Sequence, residues 1–401
     1  MPNDSSINGI NIHRDDAVDS LVLVFDKTGQ KPDKKLLFTL LSLLAFGWVM
    51  SFSASLGHFN SYSYFVKQTL YIVIGLSVGL FVLKTPLYFY KVHAKKIFIL
   101  SVILLCLVFL PRPIGWEVNG STRWINFVVF KFQPSELMKL AMILYMAKFL
   151  VDKQKNVRSP WLGLMQTLII ISFAAIPIML ETDLGATIII TATALGMLFS
   201  AGAYLMPFAY VAGFLLIAAG IFIYNDPVRW SRMTEFWQTE LWLNDSERVH
   251  QTKQALIGIA RGDWTGTGLG AGIQKYSKLP EPHTDMIFSI IGEELGVVGM
   301  LAILVLFAYV LVRGFDIAQQ ALRDGRKYSS YVAFGISTLM SLQISVNIAM
   351  NLALIPPKGF TLPLISYGGS SMIISMVAFA ILLRIDMEAR VDHDKRRQHY
   401  L

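Results

Sequence analysis

The sequence predicts an all-α polytopic membrane protein of about ten transmembrane helices, with a large extracytoplasmic loop between helices seven and eight. Three observations predict it. Of the 401 residues 54% are hydrophobic and only 15% charged, with a mean hydropathy of +0.53, more apolar than a soluble domain can be while keeping a wettable surface. The apolar residues fall into runs close to the length of about 20 that spans a bilayer. Lys and Arg gather in every second segment between those runs, the pattern that marks cytoplasmic loops.

Taken in order, the expected spans are Leu36 to Ser55, Gln68 to Leu83, Ile97 to Leu110, Pro134 to Val151, Trp161 to Leu180, Leu184 to Ser200, Leu205 to Tyr224, Asp285 to Val312, Tyr331 to Ile355 and Leu364 to Ile385. The cytoplasmic side then holds Lys27, Lys31, Lys34 and Lys35; Lys84, Lys91, Lys95 and Lys96; Lys153, Lys155 and Arg158; Arg313, Arg323, Arg326 and Lys327; and the basic end from Arg384 to Arg397. Only the turn Ala201 to Tyr204 lies inside without a charge. Both termini are cytoplasmic on this reading, with a tail at 1–35, one membrane unit at 36–386 whose large outer loop is 225–284, and a tail at 387–401.

Net charge is +8 and the isoelectric point about 9.3. Because membrane orientation accounts for the basic residues, no nucleic acid partner is implied. The first thirty or so residues lack the apolar core of a cleavable signal peptide. Cys106 is the single cysteine, so no intrachain disulfide forms. No internal repeat points to an inverted-repeat transporter. There is also no Walker motif, dinucleotide fingerprint, histidine pair at metal spacing or nucleophile elbow.

Chemistry concentrates in the outer segments. In Leu279-Pro280-Glu281-Pro282-His283-Thr284-Asp285, two prolines stiffen the approach to an apolar span, so Asp285 is expected in the first helical turn at the outer interface, where the helix dipole favours its ionised form. A helix cap is the competing role. Glu293 and Glu294 lie about two turns deeper, and carboxylates at that depth are costly enough to imply a role. A second group is Asn119-Gly120-Ser121-Thr122-Arg123-Trp124-Ile125-Asn126 followed by Gln133-Pro134-Ser135-Glu136 and Lys139. Glu136 and Lys139 share one helical face and are expected to pair, either for a substrate or as electrostatic support inside the bundle. Arg123 suits a diphosphate and Trp124 a sugar ring or lipid chain, or else the Trp is an interfacial anchor.

The third group, Pro356 to Ser371, has three prolines and three glycines among Lys358, Ser366 and Ser370. A regular helix is excluded there, and irregular backbone at this depth survives only where protein or a cavity satisfies it, which suggests a re-entrant segment beside a site. Close helix packing on the glycines is the alternative. Glu181-Thr182-Asp183 is a shorter polar turn at the same face. Asp285 is the best available catalytic group, because an ionised carboxylate in a suitable environment can take the proton of a sugar hydroxyl.

These motifs, spread from about Leu36 to Arg384, resemble the shape, elongation, division and sporulation (SEDS) family. The stretch Pro357 to Pro363 is more similar to its division branch than to its elongation branch. The resemblance implies a peptidoglycan glycosyltransferase of the inner membrane at the division septum. It would join Lipid II units into β-1,4-linked strands, with undecaprenyl diphosphate released and a class B, FtsI-like penicillin-binding transpeptidase and other division proteins as partners. It implies Asp285 as catalytic base, and Arg123, Trp124, Glu136, Lys139, His283, Thr284, Glu293, Lys358, Ser366 and Ser370 as substrate-binding. A divalent cation, Mg or Mn, is an allowed cofactor. Where the family carries Gln-Pro-Asp-Leu-Gly, this chain has Glu181-Thr182-Asp183-Leu184-Gly185. A Lipid II flippase using Glu136, Lys139 and Arg123, and a non-catalytic division scaffold, are the competing functions.

Overall fold

The computed structural model describes residues 32–57, 61–111, 115–118, 121–127, 130–159, 161–181, 183–204, 247–276 and 279–399, with scattered positions between 206 and 225. The helices are α1 (Lys34–Ser55), α2 (Ser61–Lys84), α3 (Leu87–Leu107), α4 (Pro134–Asp152), the short α5 (Gln154–Val157), α6 (Leu162–Leu180), α7 (Leu184–Ser200), α8 (Glu247–Gly262), α9 (Ile287–Arg323), α10 (Lys327–Asn351) and α11 (Gly369–His399). Six of them, α1, α2, α6, α9, α10 and α11, are long and apolar enough to cross a membrane, so the chain is a multi-pass membrane protein. The expected seventh span, 205–224, lies largely outside the described residues.

The expected spans match the helices within a few residues, apart from α2, which begins at Ser61, seven residues before the expected Gln68, and three larger differences. Helix α3 begins at Leu87, ten residues before the expected Ile97, and so takes in Lys91, Lys95 and Lys96; long lysine stems keep their ammonium groups wet while the helix runs on beneath them. Helices α9 and α11 extend past the expected Val312 and Ile385 to Arg323 and His399. The third difference is a sheet that the all-helical reading did not contain. Strands β1 (Gly115–Val118), β2 (Ser121–Phe127) and β3 (Phe130–Phe132) form an antiparallel meander, with Trp124 opposite Trp116. Lacking a second layer, it leans on α4 and on α11.

Short connections make neighbours antiparallel, and α11 returns along α2 while α9 packs on α10 and α3 on α4. Lipid tails are as apolar as leucine, so close approach and polar ties do the work that water does in a soluble core. At one end of the bundle Asp33 caps α1 and accepts from Arg313 Nε of α9 at 2.9 Å and from Arg390 Nη2 of α11 at 3.3 Å, while both arginines also meet Asp386. Toward the other end, Gly47 of α1 abuts the Leu364 carbonyl, and a Cβ there would collide with it. The irregular segment 352–368 is thereby pressed into the bundle, with Leu362 to Ser366 buried.

Candidate active site

Asp285 stands in a turn, not inside the first turn of α9, because the helix begins at Ile287 with Met286 as its cap. Glu281 carries φ 50° in that turn. The Thr284 hydroxyl lies 3.2 Å from Asp285 Oδ1 and 3.3 Å from Glu281 Oε2, bridging two carboxylates. Asp285 is half-buried. Burial, with the Glu281 charge beside it, pushes its carboxyl up to about 7 against the opposing hydrogen bonds from Thr284 and nearby amides. Desolvation therefore outweighs the helix dipole that was expected to favour the ionised form.

The main chain of Asp285 is held from the opposite side. Asn347 and Asn351, four apart on α10, each donate from Nδ2 to its carbonyl at 2.9 Å. Asn351 Oδ1 also accepts from the Ser289 amide at 2.9 Å, and Asn347 donates to the Phe360 carbonyl. The turn preceding α9 is thus tied to the segment after α10. A second tie lies two residues earlier, where the Tyr367 amide donates to the His283 carbonyl at 2.8 Å and the buried His283 ring packs against Tyr64 and Tyr367.

The irregular segment also reaches the second motif. Ser370 Oγ accepts from the Gln133 amide at 2.9 Å, and Ser366 Oγ accepts from Leu362 at 2.7 Å to close its own turn. One helical turn beyond Gln133, Glu136 and Lys139 form the expected pair, 2.7 Å apart and almost wholly enclosed. Lys358 stays exposed, its amide against Met350 Sδ. The ring of Phe360 sits on Gly185 of α7. Next to that helix, Arg123 donates from Nε to the Glu181 carbonyl at 3.1 Å and lies 3.9 Å from Asp183, with Trp124 half-buried beside it. Burial and the Asp183 charge, opposed by Arg123, push Glu181 up to about 8.

Glu293 and Glu294 occupy different surroundings, with no exposed side-chain surface and every oxygen engaged by the outer segment or by α1. Among the described residues no three His, Cys, Asp or Glu side chains gather in a cage for a metal ion.

The family model for cell cycle proteins of the FtsW, RodA and SpoVE type matches residues 34–391. The chain belongs to that family, the SEDS family. It is 38% identical over 367 residues to the "Probable peptidoglycan glycosyltransferase FtsW" of Methylomonas methanica, covering 90% of this chain and 94% of that one. Against the protein of the same name in Allochromatium vinosum it is 40% identical over 365 residues, covering 89% and 90%. Among solved structures, a chain of a peptidoglycan synthase complex described as coordinating polymerization and crosslinking superposes with a TM-score of 0.73 at 23% identity, covering 89% of this chain and 98% of that one. The rod shape determining protein RodA of Thermus thermophilus gives 0.64 at 23%, covering 88% and 96%. These two share the SEDS fold.

In this SEDS chain Asn347, Asn351, Lys275, Arg261 and Ser53 escaped the reading of the sequence. Two asparagines at helical spacing inside an apolar span were a usable signal. The others became visible only through contacts made far along the chain.

Proposed function

We propose that this SEDS protein is a peptidoglycan glycosyltransferase that polymerises Lipid II at the outer face of the cytoplasmic membrane. One observation carries the reading: a half-buried carboxyl, raised to about 7, stands in a turn bonded to the Pro356–Ser371 segment through Tyr367 and His283, and that segment is bonded in turn to Gln133 of the second motif through Ser370. A general base works best when its pKa lies near the working pH. Asp285 takes the proton of the acceptor 4-hydroxyl as that oxygen forms a bond to the donor's anomeric carbon. The bond from that carbon to the diphosphate breaks, undecaprenyl diphosphate leaves with the electron pair, and inversion gives a β-1,4 link. Arg123, Lys358 and the Glu136–Lys139 pair supply charge near the leaving group, and Trp124, His283, Thr284, Ser366 and Ser370 shape the walls. The described residues offer the divalent cation no closed cage, so no step passes through it.

The names of the curated relatives and the synthase complex among the structural relatives support this reading. By the same support the partner is a class B, FtsI-like penicillin-binding transpeptidase. The charge pattern supports both termini in the cytoplasm and one membrane unit at about 36–386, and the FtsW names of the curated relatives support action at the septum. The enclosed Glu136–Lys139 pair is the feature a Lipid II flippase would use instead.

The test is polymerisation of purified Lipid II by the protein co-purified with its transpeptidase, comparing wild type with Asp285→Ala. Glycan chains from wild type and none from a folded, partner-bound variant are expected. Equal chains from both remove Asp285 from the chemistry. No chains from either shift the function to flipping or scaffolding.

A further inference from the structure

Lys275 has no exposed side-chain surface, although it belongs to an outer loop. Its ammonium donates to Glu294 Oε1 at 2.6 Å, to the Gly270 carbonyl at 2.8 Å and to Ser53 Oγ at 3.2 Å. Ser53, near the outer end of α1, donates in turn to Glu294 Oε2 at 2.6 Å. The neighbouring Glu293 accepts from Arg261 Nη1 at 2.7 Å and from the amides of Ile273 and Gln274 at 2.8 and 3.2 Å. Residues 273–275 are therefore stapled to residues 293–294 of α9.

The backbone was built to receive this staple. Helix α9 breaks at Gly296, with φ 67° and ψ −168°. The hydrogen bonds lost at the break are replaced from the outer segment, since Val297 and Val298 donate to the carbonyls of Asp263 and Trp264, and Thr267 and Gly268 donate to those of Glu293 and Glu294. A Cβ at Gly296 would strike the Trp264 carbonyl, and one at Gly266 the Glu294 carbonyl.

Asp285 lies ten residues after Lys275 and nine before Glu294, so the staple joins the two ends of the stretch that carries Asp285. Further ties sit on that stretch: the Leu279 amide on the Gln274 carbonyl at 3.0 Å, Tyr367 on His283, and Asn347 and Asn351 on the Asp285 carbonyl; the staple adds to them the tie between the two ends of the stretch. An ion pair stripped of water is a poor device for stability, because apolar side chains of the same size hold a fold as well; where such a pair serves, it fixes one geometry. We propose that Lys275 is a positioning residue for the reaction at Asp285, its pair with Glu294 setting where the Asp285 carboxylate meets the acceptor. The proposal rests on the glycosyltransferase reading above.

The deciding variant is the double replacement Lys275→Met with Glu294→Gln, which leaves neither charge buried alone. It is compared with wild type in the complex with the transpeptidase, by kcat and KM for Lipid II, thermal unfolding, and amide hydrogen exchange between residues 279 and 286. The expected result is a cooperative unfolding transition close to wild type, kcat lowered about tenfold or more, KM changed less than about twofold, and faster exchange in that stretch alone. Wild-type kcat and exchange in the folded double variant overturn the proposal and leave the glycosyltransferase reading standing. If the double variant does not fold, Lys275→Arg decides on the same readouts. It keeps the charge, but its planar guanidinium cannot serve the same three acceptors; lowered kcat with faster exchange upholds the proposal, and wild-type values overturn it. Absence of product from wild type refutes the glycosyltransferase reading, and the positioning role falls with it.

Discussion

Nine residues separate two carboxylates with opposite surroundings. Glu294 is sealed from solvent and accepts from Lys275, Ser53 and the Gly270 amide. Asp285 is half-buried, accepts from the Thr284 hydroxyl, and is pushed up to about 7. Burial alone does not mark a working carboxylate. A saturated one holds the wall in place, whereas a partly satisfied one keeps lone pairs available for a proton that arrives with substrate.

The largest effect that could break this contrast is on rate. Asp285→Asn removes the base and is expected to lower Lipid II polymerisation by about 10²–10⁴-fold, measured as glycan product per enzyme, while thermal unfolding moves little because a neutral amide suits that half-buried turn. Glu294→Gln is expected to act on stability instead. It strands the Lys275 ammonium without its counter-charge, at a cost of about 3–5 kcal/mol, read by thermal unfolding in detergent. Should Asp285→Asn unfold the protein and Glu294→Gln leave its stability intact, the two roles are reversed. A smaller effect belongs to Asn347→Leu, which strips a donor from the Asp285 and Phe360 carbonyls. Asn351 still serves the Asp285 carbonyl, so the cost is that of the Phe360 carbonyl losing this donor, about 1–3 kcal/mol, with a fall in kcat larger than any change in KM as the second sign.

What the sequence made legible follows from the range of each interaction. Apolar runs and alternating basic loops expose the spans, because the bilayer acts on each residue by itself. The irregular stretch Pro356 to Ser371 was legible from its prolines and glycines, and the pairing of Glu136 with Lys139 from their spacing on one helix. The fates of Glu293 and Glu294 were not, since Arg261 at the end of α8 and Lys275 in the loop after it lie 32 and 19 residues away and Ser53 in another helix 241 residues away. The small sheet escaped because its strands are three to seven residues long, too short for an alternating pattern to stand out. The raised carboxyl of Asp285 escaped for another reason, as burial of a turn is a tertiary property that works against the local dipole.

The smallest effect sharpens the account of Asp285 itself. A base must be deprotonated to act, so kcat should rise with pH up to about 7 and level off above it, following the raised carboxyl. Glu281 raises that value by its charge and competes for the Thr284 hydroxyl. Glu281→Gln removes the charge and leaves Asp285 the one carboxylate within reach of Thr284, whose other acceptor is then the main-chain carbonyl of residue 281. Both changes favour the carboxylate, so the acid limb is expected to move to lower pH with the plateau kept. Thr284→Val removes the donor and leaves the Glu281 charge, so its limb should move to higher pH. The pair is read from pH–rate profiles of the two variants beside wild type. Displacements in opposite directions identify Asp285 as the group that titrates, whereas limbs that move together or stay fixed assign the titration to another residue.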